Sequence, residues 1–228
     1  MGEKKQKETT KNFYKILAIL GCVLFVVLMV VSSMGSNWVN YFSAIKPGDS
    51  VTIDYTIRDN HGTPLVTTDK QLYAKVVGAG YTIFFGKQLV LQANQSTTKA
   101  VIPIPVYTTD TGWSNSFALL GVEYNTISSG IIGMKQNEQK TIIIPFNDSM
   151  AQVLSADQLK QSKVNLTEVQ VGDKYPMGVS ETPVNMTNTT PQASYIRVGE
   201  IIKKTSDYAV VNYANPKIDI QIASITQH

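Results

Sequence analysis

Chemistry in a protein starts from groups that titrate or ligate, and this chain has few of them in useful places. Its two histidines, His61 and His228, stand far apart, the first in an Asp59-Asn60-His61-Gly62 turn and the second at the C-terminus. Two isolated histidines build neither a metal site nor a nucleophilic triad. The single cysteine, Cys22, lies in an apolar run, so the remainder of the chain has no disulfide and no thiolate ligand. Carboxylates are scattered, and there is no phosphate-binding Gly-rich loop and no G-x-S-x-G elbow. Gly78-Ala79-Gly80 lacks the third glycine of a dinucleotide fingerprint and reads as a turn. No cofactor and no metal are expected, and any catalysis must work without a strong acid, base or nucleophile.

Charge narrows the partners. Of the 228 residues, Lys4, Lys5, Lys7, Lys11 and Lys15 crowd the start against Glu3 and Glu8, whereas beyond Gly35 there are 15 basic and 15 acidic residues. The net +3 therefore belongs to the tail. A neutral folded part argues against nucleic acid as a partner, because such binders carry a basic patch on the domain itself.

From Ile16 to Val31 every residue is apolar or Gly, and no charge falls between Lys15 and Lys46. A stretch near 20 residues suffices to cross a hydrocarbon core as a helix. Phe13 and Tyr14 on one side and Trp38, Tyr41 and Phe42 on the other sit where interfacial rings settle. Small residues at Ser32-Ser33-Met34-Gly35-Ser36 keep a cleavable signal peptide as the competing reading, but the apolar run exceeds the usual h-region of about 7–15 residues. The expectation is a single-pass membrane anchor at 16–35, a cytoplasmic basic tail at 1–15 and an extracytoplasmic remainder. Acceptor sequons at Asn94, Asn147, Asn165, Asn185 and Asn188 all follow the anchor, in keeping with export.

The elements that would position a site come next. Val51, Ile53, Tyr55 and Ile57 alternate with Thr52, Asp54, Thr56 and Arg58, which predicts a half-buried strand. Between 70 and 122 the apolar pieces Tyr73–Val77, Tyr81–Phe85, Leu89–Leu91 and Val101–Val106 read as short strands and loops. Ile127, Ile131 and Met134 recur at helical spacing behind Thr126 as a cap, and Thr141–Pro145 is a strand. Ser155 caps a short helix to Ser162. Strands follow at Val169–Met177, Tyr195–Ile202 and Tyr208–Tyr213, the last two joined by Thr205-Ser206-Asp207 as a hairpin. Residues 181–192 form a polar loop. The alternation of Ile218, Ile220 and Ile222 predicts a terminal strand central to the sheet.

Taken in order, Gly48-Asp49-Ser50-Val51-Thr52-Ile53-Asp54-Tyr55-Thr56, the turn ending in Gly62, and Gly133-Met134-Lys135-Gln136-Asn137-Glu138 leading to Ile144-Pro145 resemble the FKBP family of peptidyl-prolyl isomerases. Val169-Gln170-Val171-Gly172-Asp173 and Asp207–Pro216 resemble the chaperone insert of the SlyD-type subgroup and its return segment. The resemblance covers about 46–68 and 121–228. It implies an α+β fold, an FKBP-like curved antiparallel sheet wrapped on a short helix, with an FKBP-like domain at 46–150 plus 205–228 and a small β-rich domain inserted in the flap at 151–204.

By the same resemblance an apolar prolyl pocket falls on Tyr55, Leu65, Val66, Ile127, Met150 and Ile218. Tyr55 agrees with the family. The Phe-Asp pair has become Leu65-Val66, the pocket floor Ile127, the flap Tyr Met150 and the last-strand Phe Ile218, while Asn125-Thr126 replaces the Pro-Gly before the helix. The stretch from Gln71 to Leu120 is longer than the family's. Prolyl isomerisation must cross an amide-resonance barrier of about 18–20 kcal/mol, and an apolar site that favours the twisted amide is enough to lower it. These residues could equally fill a core. The expected function is a membrane-tethered, extracytoplasmic isomerase and chaperone acting on exported unfolded or proline-containing polypeptides. The alternatives are an inactive holdase or surface-binding module, and a solute or cell-envelope binding domain whose FKBP likeness is convergent.

Overall fold

The computed structural model describes residues 3–33, 43–108, 112–145, 150–180 and 194–227. The chain divides into two units, Met1–Ser43 and Ala44–His228. In the first, a helix α1 runs over Glu3–Ser33. Among the described residues no helix is long and apolar enough to cross a membrane. That overturns the single-pass anchor at 16–35 and the topology built on it. The flanking rings Trp38, Tyr41 and Phe42 lie outside the described residues, as do the sequons at Asn147, Asn185 and Asn188 and the 181–192 loop.

The second unit is mostly β. Its strands are β1 (Ser50–Arg58), β2 (Pro64–Thr67), β3 (Phe84–Gly86), β4 (Leu89–Gln92), β5 (Val101–Thr108), β6 (Gly112–Leu120), β7 (Gln139–Ile143), β8 (Ala151–Ser155), β9 (Lys174–Ser180), β10 (Ser194–Lys204), β11 (Tyr208–Asn212) and β12 (Lys217–Thr226). Three helices accompany them: α2 (Lys70–Gly78), α3 (Gly121–Gly130) and α4 (Ala156–Gln161). The strands make one curled, half-barrel sheet of order β7-β12-β1-β2-β3-β5-β6-β10-β11-β8, with β4 on β1 and β9 on β10.

This corrects the α+β expectation of an FKBP-like antiparallel sheet wrapped on a helix with a separate flap domain. Residues 84–120 supply β3, β5 and β6, which prolong the sheet past β2, and β10, β11 and β8 continue the same path. Two contacts, β2 with β3 and β10 with β6, are parallel. The 73–77 piece is helical, because Asp69 accepts from the amides of Gln71 and Leu72 at 2.8 and 3.2 Å and caps α2.

The strongest alternations hold. Along β1 the residues Val51, Ile53, Tyr55 and Ile57 are buried, and β1 pairs with β12 along its whole length, Tyr55 opposite Ile220 and Ile57 opposite Ile218. β12 lies between β1 and β7, inside the sheet. The main core gathers these residues with Ile104, Val106, Phe117 and Leu119 from β5 and β6 and Ile127 from α3. A second cluster joins Leu154, Leu159, Leu166, Tyr175, Ile201 and Val211.

Candidate functional site

The six resemblance-derived pocket residues are all buried, at most 6% exposed. Tyr55, Leu65, Val66, Ile127 and Ile218 belong to the main core, and Met150 to a smaller cluster with Val101, Ala118, Leu120 and Ala214. Five are thus brought together and the sixth is held elsewhere. The cover over Tyr55 is Gly86 of β3. A Cβ there would stand 2.7 Å from the Tyr55 hydroxyl and 3.2 Å from Val66 Cγ1, so only a glycine lets the strand lie this close. Among the described residues the hydroxyl of Tyr55 has no hydrogen-bond partner. Burial, and then the Asp54 carboxylate, push its pKa well above the usual phenol value. Gly86, within the long 70–122 segment, therefore packs directly against two of the residues that the resemblance assigns to a prolyl pocket, Tyr55 and Val66.

The open concavity lies on the other side of α3. Where β6 ends at Leu120 the chain turns at once into the helix, with Gly121 N–H donating to Ala100 O at 2.9 Å. A Cβ on Gly121 would meet Lys99 O at 2.1 Å. The Leu120 N–H donates to Glu123 Oε2 at 2.9 Å, so the carboxylate at the third helical position satisfies the amide of the residue that precedes the helix. Five residues are thereby added before Thr126, the start expected from sequence. Thr126 instead donates from Oγ1 to Val122 O at 2.7 Å inside the helix.

Glu123 does more than cap. Arg197 of β10 reaches it with Nη2 to Oε1 at 2.5 Å and Nη1 to Oε2 at 2.9 Å, and both side chains are 0% exposed. Nη1 also donates to Ala118 O at 2.9 Å and Nε to Tyr213 O at 2.9 Å. With its amide oxygen turned toward the guanidinium, Asn215 accepts from Nη2 at 3.0 Å. Each guanidinium nitrogen is bonded, as a buried cation requires. This knot ties β10 and the 213–215 segment to α3 and fixes the walls beside it.

Between those walls lies a groove of 670 Å³. The α3 face contributes Val122, Asn125, Thr126 and Ser129; Val101, Leu120 and Met150 form an apolar base; Pro145, Val179 and Tyr213 stand opposite. One rim is pinned by Asn125, whose amide accepts from Thr97 N at 2.7 Å and donates to Thr97 O at 3.1 Å. Among the described lining residues Lys99 is the one that is charged. Such a surface can bind an extended apolar chain, and its described residues hold no pair of groups to move a proton.

A second polar cluster ties the β1–β2 turn to β9 and β10. Lys174 Nζ lies 2.7 Å from Asp59 Oδ2 and 2.9 Å from Glu200 Oε2, and His61 Nε2 lies 2.9 Å from Glu200 Oε1. Asp59 Oδ1 accepts from the amides of His61 and Thr63, each at 2.8 Å. Burial raises the Asp59 and Glu200 pKa values, but bonds and charge from Lys174, with the turn amides for Asp59 and His61 for Glu200, outweigh it and leave both below the ordinary carboxylate range. Among the described residues no cluster of His, Cys, Asp and Glu could hold a metal ion.

Neither knot was foreseen from sequence, although a lone Arg in Tyr195-Ile196-Arg197-Val198 was a signal for a buried counter-charge. No protein family and no curated protein matches this chain.

Proposed function

We propose that this chain is a polypeptide-binding protein of the folding-factor kind, which holds unfolded segments in the groove between α3 and Met150. The groove's apolar base carries the reading, since it is open while the positions suggested for isomerisation are buried. The order of motifs that resembles the FKBP isomerases supplies the client class, unfolded or proline-containing polypeptides. At the end of the sheet β8 pairs with β11 alone among the described residues and exposes Val153, so a segment leaving the groove past Met150 meets a strand edge able to accept another.

The test is suppression of aggregation of a denatured client by the full chain, compared with a Val122→Asp variant on the α3 side of the groove. Delay by the parent and loss in the folded variant is the expected result. No delay by the parent, or equal delay by both, overturns the reading.

A second reading, prolyl isomerisation at Tyr55, is favoured by one observation: its buried hydroxyl is unpartnered. A protease-coupled isomerisation assay decides it. Acceleration lost in Tyr55→Phe supports catalysis there, and an unchanged uncatalysed rate removes it.

A further inference from the structure

The face of β3, β5 and β6 beside α2 carries an aromatic cup separate from the groove. Phe85 is registered opposite Tyr107, and Tyr107 opposite Trp113, so three rings lie side by side across three strands. Tyr73 completes the set from α2. Its ring centroid is 5.3 Å from that of Phe85, Phe85 is 5.7 Å from Trp113, and Trp113 is 5.8 Å from Tyr107, with interplanar angles of 53° to 65°. Tilted rings make a concave cup, here of 330 Å³, lined by these four and Lys70. Trp113 and Tyr107 are 43% and 40% exposed, and Lys87 Nζ sits 4.9 Å above the Trp113 ring.

Large rings left open to water on a strand face are costly unless something covers them. The two lysines decide what does. A quaternary ammonium is excluded, because Lys87 already occupies the Trp113 face. A sugar needs acceptors for its hydroxyls, and among the described residues the lining holds no carboxylate or amide. An anionic lipid surface calls for clusters of roughly 4–8 basic residues, more than the two here. What fits is one apolar side chain in the cup with carboxylates beside it, close to Lys70 and Lys87. The carboxylate of Asp69, next to Lys70, is already engaged by the amides of α2.

We infer that the Tyr73–Phe85–Tyr107–Trp113 cup is a docking site for an acidic peptide segment that presents a single apolar side chain. It is a second contact point, independent of the groove.

The probe is a blocked Glu-Glu-Leu-Glu-Glu peptide titrated into the full chain by calorimetry. Binding should weaken about tenfold for Trp113→Ala and for Lys70→Glu with Lys87→Glu, each loss being the scale of one aromatic or ionic contact in a small site. Replacing the central leucine by glycine should cost about as much, and a Lys-flanked version should not bind. Val122→Asp should leave all of this unchanged, so failure of the groove and failure of the cup are read separately. Equal affinity in Trp113→Ala and in the double lysine variant overturns the assignment, as does equal binding of the Lys-flanked peptide. So does binding of anionic vesicles or of an acidic oligosaccharide in place of the peptide.

Discussion

The guanidinium of Arg197 grips both carboxylate oxygens of Glu123 across 74 residues of sequence, and neither side chain touches solvent. Removing one partner leaves the other charged, buried and alone, which costs roughly 3–5 kcal/mol, whereas removing both leaves no buried charge unpaired. Glu123→Gln and Arg197→Met should each lower the urea midpoint sharply, even though a glutamine oxygen at 123 can still accept from the Leu120 amide. The double variant should be less destabilised than the two single losses summed. Additive losses would show that the pair is not the coupled unit described.

Tyr55 and Gly86 give a second coupled pair. The Tyr55 hydroxyl is buried without a partner, so Tyr55→Phe should be neutral or stabilising by up to about 1 kcal/mol. Gly86→Ala places a methyl 2.7 Å from that oxygen and should cost about 1–3 kcal/mol as overpacking. The two together should recover part of the loss, because the oxygen in the way is gone. A Gly86→Ala cost that is the same on the Tyr55→Phe background would rule out this contact as its cause.

Periodicity was readable wherever one face of a strand meets the core, as in β1, β12 and the β10–β11 hairpin. Ser155 was readable as a cap because its chemistry is local: its hydroxyl accepts from Gln158 N at 3.3 Å and the Gln158 side chain accepts from Ser155 N at 2.9 Å. Ser155→Ala should therefore cost about 1 kcal/mol in a denaturant titration, and no measurable cost would show that α4 needs no cap.

What sequence did not disclose depends on distant partners. The start of α3 at Gly121 rests on Glu123 acting from within the helix, and the fate of the pocket residues on β3 to β6, whose broken apolar pieces carry no clear period. Tyr73–Val77 looked like a strand because the Asp69 cap and Lys75 in the last turn were outweighed by an apolar run. The apolar stretch after Lys15 shows the converse error, in which composition suggested a spanning helix that the described residues do not provide.

The Asp59–Lys174–Glu200 cluster predicts how stability follows pH. Both carboxylates have folded-state pKa values below their unfolded values of about 3.9 and 4.3, so their contribution is complete above those values and is lost as pH falls through the lower folded ones. Lys174 behaves oppositely: burial lowers its pKa, but Asp59 and Glu200 outweigh this and raise it, so its contribution is intact below about 10.4 and fades as pH climbs through the folded value. Between pH 7 and pH 3 the melting temperature of the parent should therefore drop more steeply than that of Lys174→Met, in which the carboxylates have lost the cation that holds them ionised. The two curves should converge at the acid end, where the parent's carboxylates are protonated as well. Parallel curves over that range would mean that Lys174 does not set the ionisation of Asp59 and Glu200, and that the link between the β1–β2 turn and β9–β10 is carried by packing.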